Sequence, residues 1–393
     1  MTFLYDIINL EFVLVLCFLI MFYLRLDILR TFIVLGHLMA IFFLNDVLFE
    51  PTYWIDQYGY LNVAKDIREA IFSLKEISVV GASRLLLPSY LFALSPMPFI
   101  NSVQSIAMIN FLLYLLLFVY IKKKGVSSNS IDFFFLLYPS FLLYSSLALR
   151  ETLVVIFMII SLYFLLVEEK RIAAFIFLFP LVIIKIQNFI IIILSYFIYL
   201  FIRKGSIKRY LVFLGVGFLV VFFGNRVPLI NYFIEKINWY RYNLIAENFG
   251  YNWDFMATYD YQPFTVGFSM IPLVLNSFIY MLNKPFPWEA TNLVQLFQSV
   301  ENIFIIALIV WVLRKKVYTQ IIKRKLIFLN ILLILSMTIY GLVTFNFGTA
   351  ARFRFPFIVV YLVYYFYFLK TDKIISHQHS KDYSSIPAIS LAP

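Results

Sequence analysis

Two short stretches hold the residue types that could do chemistry. In YPSFLLYSSLALRE, Tyr138–Glu151, an apolar run ends in adjacent Arg150 and Glu151, and a second apolar run from Thr152 to Val167 follows at once. A charged pair at the turn of an apolar hairpin is costly against lipid, so it faces protein or a water-filled cavity, where ionisable groups are usually functional. A mutual ion pair that snorkels to an interface and ends two helices is the structural alternative. In TFNFGTAARFRFP, Thr344–Pro356, Arg352 and Arg354 stand one residue apart. Guanidinium groups offer planar bidentate donors that suit a phosphate or pyrophosphate. On a helix the two side chains diverge by about 200°, so only one need reach such a ligand, and lipid head-group anchoring uses the same spacing.

A third stretch, EKINWYRYNLIAENFGYNWDFMATYDYQPF from Glu235 to Phe264, interleaves Trp239, Trp253 and several tyrosines with Asn, Arg, Asp and Glu. Aromatic faces stack on sugar rings while amides and carboxylates bond hydroxyls, and aromatic belts at membrane interfaces use the same residues.

The elements that must position these residues are read from composition. The chain has 393 residues, 63% hydrophobic and 13% charged, with apolar runs repeatedly long enough for a hydrocarbon core of about 30 Å. This predicts an all-α, polytopic integral membrane protein with about eleven transmembrane helices, at about 8–24, 30–45, 102–121, 131–149, 151–167, 172–184, 189–202, 210–224, 297–313, 326–342 and 356–370. The pI of about 9.4 comes from short basic clusters between apolar runs, a positive-inside pattern rather than a nucleic-acid face. Arg25 and Arg30 then place the amino terminus outside and the carboxy terminus in the cytoplasm. Met1–Asn9 lacks a basic n-region, so the first apolar run is expected to be a retained helix. The single cysteine, Cys17, offers neither a disulfide framework nor a thiol metal site.

On this path residues 1–370 form one membrane domain with two large outer loops, about 46–101 and 225–292, and 371–393 form a disordered cytoplasmic tail. In the first loop Tyr60, Ala64, Ile67, Ile71 and Leu74 make a helical stripe suited to a membrane interface. LLLPSYLFALSPMPFI, broken by Pro88, Pro96 and Pro98, is expected to be re-entrant or interfacial. VGFSMIPLVLNSFIYML, in the second loop, is laid at the outer interface. Ile172–Ile202 must supply a short hairpin, interrupted by Pro180, with Lys185, Gln187 and Asn188 at its tip as snorkelling residues or as part of a broken helix.

With those residues in hand, the chain resembles bacterial inner-membrane glycan-assembly proteins, namely the O-antigen polymerases and the polytopic glycosyltransferases of the C superfamily. Four short motifs carry the resemblance: Asp56 with Tyr60 and Ala64, YPSFLLYSSLALRE, KPFPWEATNLVQLFQSVEN from Lys284 to Asn302, and RFRFP from Arg352. The resemblance implies an enzyme that transfers a polyprenyl-linked glycan at the periplasmic face, as a polymerase of surface-polysaccharide repeat units. In that mechanism arginines hold the donor pyrophosphate and a carboxylate deprotonates the acceptor hydroxyl. Arg150, Arg352 and Arg354, with Arg226 and Arg241, are the arginines it points to; Asp56, then Glu151 or Glu289, are the bases; Trp239 and Trp253 meet the glycan. It implies no cofactor; a divalent metal belongs only to the alternative, a C-type enzyme moving one sugar from a polyprenyl-phosphate donor. The first loop lacks a clear DxD, and no Gly-rich phosphate loop occurs. Implied partners are a polyprenyl-pyrophosphate-linked oligosaccharide, membrane lipids and a chain-length regulator, with no nucleic acid. The rival of another class is a transporter or flippase of lipid-linked sugars, although the two halves show no paired broken-helix repeat.

Overall fold

A sequence that is apolar on every side of a helix marks an element surrounded by protein or lipid rather than one half-exposed to water. The stretch VQSIAMINFLLYLLLFVYIKK has that character and forms α5 (Val103–Lys123), whose buried residues run from Val103 to Ile121. Ser102 caps its first turn, accepting from Ser105 N at 3.1 Å, and Lys122 and Lys123 occupy its last turn, where cations oppose the helix dipole. A computed structural model describes residues 2–45, 47–49, 54–74, 83–203, 211–212, 215, 223–249, 263–344 and 346–384. These residues are all-α, with one isolated bridge between Asn45 and Phe49. They divide into two units, Met1–Ile190 and Ile191–Pro393.

In the first unit α5 is packed by α1 (Thr2–Leu24), α2 (Ile28–Leu44), α3 (Asp56–Ser73), α7 (Pro139–Ser145) and α8 (Glu151–Leu162). A ring stack ties α2, α5 and α6 (Asn129–Leu137): His37 lies 5.2 Å from Tyr114, and Tyr114 lies 5.0 Å from Phe135. Tyr114 satisfies its buried hydroxyl by donating to Phe135 O at 3.0 Å. Near the carboxy-terminal end of α5, buried Asp132 accepts from Ser127 Oγ at 2.6 Å and pairs with Lys122. α3 packs on α4 (Ser83–Ala93), and Tyr60, Ala64 and Ile67 of the expected stripe are buried. Leu74, at its end, is 94% exposed. α9 (Arg171–Leu178), α10 (Leu181–Ile184) and α11 (Ile186–Ile202) follow, with the unit boundary inside α11.

In the second unit α12 (Pro228–Phe249) and α13 (Met270–Asn283) precede α14 (Leu293–Leu313), α15 (Gln320–Val343) and α16 (Phe347–Ser384). Asp372 of α16 accepts from Tyr318 N at 3.0 Å and Thr319 N at 2.8 Å, so one helix supplies the cap for the start of another. α16 continues to Ser384, and residues 385–393 of the expected tail lie outside the described residues.

The eleven-crossing topology is overturned. Among the described residues five helices are long and apolar enough to cross a membrane: Phe3–Leu24, Val103–Lys123, Leu293–Leu313, Gln320–Val343 and Phe347–Ser376. The run at 131–149 is divided between α6, α7 and a non-helical segment; 151–167 holds the 12-residue α8 and a π-helical turn; 172–184 holds the 8-residue α9 and the 4-residue α10. The runs at 30–45 and 189–202 form 17-residue helices, and most of 210–224 lies outside the described residues. These runs are apolar in large part because they line protein interior, as Phe135, Phe141, Leu149, Val154 and Leu181 show. With that path falls the sidedness built on it: a multi-pass inner-membrane placement, amino terminus outside and carboxy terminus cytoplasmic.

The segment laid at an interface, Val266–Leu282, instead gives α13, which packs closely on α15. A Cβ built on Gly341 would lie 2.0 Å from Ser277 O and 3.1 Å from Met281 Cβ. Alanine gains about 1 kcal/mol over glycine inside a helix, but this clash is with backbone and cannot be relieved by a rotamer change. Gly341→Ala should therefore be destabilised by about 1–3 kcal/mol, the ordinary cost of overpacking. Thermal unfolding of the variant checks this, and an unchanged or raised midpoint contradicts the close α13–α15 approach.

Candidate functional site

The Arg150–Glu151 stretch is positioned by a helix that stops and restarts. Pro139 opens α7 at a position where a missing N–H costs nothing. Seven residues later the helix ends at Ser146, and α8 does not begin until Glu151. No glycine or proline lies in that gap. The segment is nevertheless buried, with Leu147, Ala148 and Leu149 wholly shielded, so its backbone groups must find partners elsewhere.

Side chains from α3, α5 and the end of α2 supply them. Asn45 Nδ2 donates to Ser146 O at 2.9 Å. Asn110 Nδ2, on α5, donates to Leu147 O and Leu149 O, both at 2.7 Å. Gln57 Oε1, on α3, accepts from Ala148 N at 2.6 Å. Ser146 Oγ donates to His37 O at 3.2 Å, and Thr152 Oγ1 donates to Tyr144 O at 3.0 Å across the gap. His37 Nε2 lies 2.8 Å from Leu136 O; since a carbonyl only accepts, Nε2 carries the proton.

A second break lies alongside. Pro180 follows the end of α9, α10 has a single turn, and Lys185 leaves helical geometry before α11. Lys185 Nζ is 3.8 Å from Glu151 Oε1, with side-chain exposures of 2% and 0%. That separation exceeds hydrogen-bond length, so between these two atoms the attraction is Coulombic. Arg150 Nη1 donates to Ile184 O at 2.7 Å, tying the start of α8 to the end of α10. Arg150 is half-buried, and in the N-cap position its side chain makes no hydrogen bond to the first turn of α8. Two basic side chains and one acid thus meet where two interrupted helices adjoin.

Asp56 is the first residue of α3, in the first unit. Arg354, in the second unit, is buried, and its guanidinium donates to Met281 O at 3.1 Å and Lys284 O at 3.0 Å and bonds Asn302. It caps the carboxy-terminal end of α13, where a cation opposes the dipole. Arg352 is half-buried one residue before Phe353. Glu289 accepts from Phe286 N at 3.0 Å and pairs with Lys284 at 3.1 Å. Arg226 lies over the Phe223 ring, Arg241 is buried, and Trp239 is 64% exposed beside Lys236. Trp253 lies outside the described residues. Lys185, expected at a hairpin tip, is an interior partner of Glu151, and the bracing amides of Asn45, Gln57 and Asn110 are functional groups that no motif or spacing signals. Asn110 was visible as a polar residue inside an otherwise apolar run.

Among the described residues no group of three His, Cys, Asp or Glu side chains is placed to hold a metal ion. Glycan transfer at an outer membrane face, in its polymerase, single-sugar and flippase forms, rested on the eleven-crossing topology and falls with it. No protein-family model, curated protein or solved structure matches the chain.

Removing one partner of a buried pair strands the other charge, which typically costs about 3–5 kcal/mol, whereas removing both is close to neutral. Lys185→Met should fall in that range, and the double variant Glu151→Gln/Lys185→Met should regain most of the loss. Denaturant unfolding of the wild type, Lys185→Met, Glu151→Gln and the double variant reads this directly; additive losses in the double variant would show that the two groups do not act as a pair.

Proposed function

We propose that the protein binds a phosphate-bearing ligand where α7 and α8 separate beside the α10–α11 break. The observation that carries this reading is the meeting of Arg150, Lys185 and the amino terminus of α8 at adjoining interruptions. Helix amino termini present N–H groups and a positive dipole end to anions. Arginine adds a planar fork that matches phosphate oxygens, and lysine adds a point charge. Arg150 is the partly exposed member of the set and so the point of access. Glu151 holds Lys185 when no ligand is bound and gives it up as phosphate arrives.

The test is a thermal-shift titration of the purified chain with inorganic phosphate and pyrophosphate, against sodium chloride at matched ionic strength. A ligand at a hundred times its Kd stabilises by about 2.7 kcal/mol, so the unfolding midpoint should rise steadily with the logarithm of anion concentration once that exceeds Kd. Arg150→Gln should abolish the rise. Glu151→Gln, which removes the competing carboxylate, should tighten binding by about tenfold, or roughly 1.4 kcal/mol. A wild-type midpoint indifferent to both anions, or a rise that Arg150→Gln retains, removes the proposal.

A further inference from the structure

The amides that brace the α7–α8 gap leave something over. Asn45 Nδ2 donates to Ile41 O and Ser146 O, and Asn110 Nδ2 donates to Leu147 O and Leu149 O. All four targets are carbonyls, which only accept, so each amide nitrogen must face them and neither side chain can be turned round. The orientation of both oxygens is then fixed, and Asn45 Oδ1 and Asn110 Oδ1 are buried without a hydrogen-bond partner among the described residues. Asn45 is 2% exposed and Asn110 0%. An unsatisfied buried acceptor costs about 1–3 kcal/mol, and two of them flank the same four-residue segment. Each carbonyl of that segment also has a second lone pair. The local chemistry is thus an excess of oxygen acceptors with the nearby donors already committed.

A guest for such a place must offer positive charge or protons and take oxygen ligands. We infer that a monovalent cation of the sodium type binds beside Ser146–Leu149, with Asn45 Oδ1 and Asn110 Oδ1 as its side-chain ligands and the segment's carbonyls completing the shell. Hard cations take amide and backbone carbonyl oxygens, and the carbonyls of an unwound helical segment can serve as such ligands. The ion offsets the cost of interrupting the helix, so the α7–α8 gap is stable only when it is occupied. This site is separate from the phosphate site and uses neither Arg150 nor Lys185.

The experiment measures the unfolding midpoint of the 393-residue chain without phosphate as sodium chloride replaces choline chloride at constant ionic strength. The midpoint should rise with the logarithm of sodium concentration. The sodium-23 resonance should broaden in the presence of the wild-type protein and sharpen again with Asn110→Ala, which should also lose the sodium dependence; Asn45→Ala is read in its place if Asn110→Ala does not fold. Equal midpoints in sodium and choline without line broadening overturn the proposal and assign the two oxygens to bound water. A sodium response that both asparagine variants keep overturns it as well, because the ion then binds elsewhere.

Discussion

A backbone that leaves the helix inside an apolar body must have every N–H and C=O answered by something else, and the first unit is arranged to meet that requirement at Ser146–Arg150. Asn45 beyond α2, Gln57 on α3 and Asn110 on α5 all direct side-chain amides at the same gap. That is why a largely buried apolar helix carries Asn110, and why α2 ends in a polar residue that turns inward. The ring stack of His37, Tyr114 and Phe135 holds α2, α5 and α6 in the register the amides need.

The second unit solves a smaller version of the same problem. Helix ends leave groups that intrahelical bonds cannot reach. The end of α13 is capped by Arg354 from α16, and the start of α15 by Asp372, also from α16. One long helix thereby fixes the termini of two others, and the arginine that looked available to a ligand is committed to carbonyl oxygens. A charge placed near an apolar run says nothing by itself about whether it serves a ligand or a helix end.

Buried charge is the costly part of this design. Glu151 and Lys185 are each expensive alone and tolerable together. Their pairing couples two interruptions separated by 34 positions in the chain, so the geometry at one break is felt at the other. Arg150, bonded to Ile184 O, reinforces the same connection.

The sequence by itself determined that the chain is helical and strongly apolar, that α5 is a long apolar helix, and that Arg150 and Glu151 stand at a discontinuity. Pro139, Pro180 and the polar residues at 185–188 marked helix starts and interruptions legibly. Only the tertiary structure decided which groups answer each other: Lys185 for Glu151, Asn110 for the gap carbonyls, Arg354 for the end of α13. It also decided which apolar runs are long enough to cross a membrane and which are short helices packed against protein. The reason is physical. Removing an apolar side chain from water is favourable whether protein or lipid covers it, so hydropathy cannot distinguish the two, whereas the partner of a buried polar group is set by geometry across distant parts of the chain.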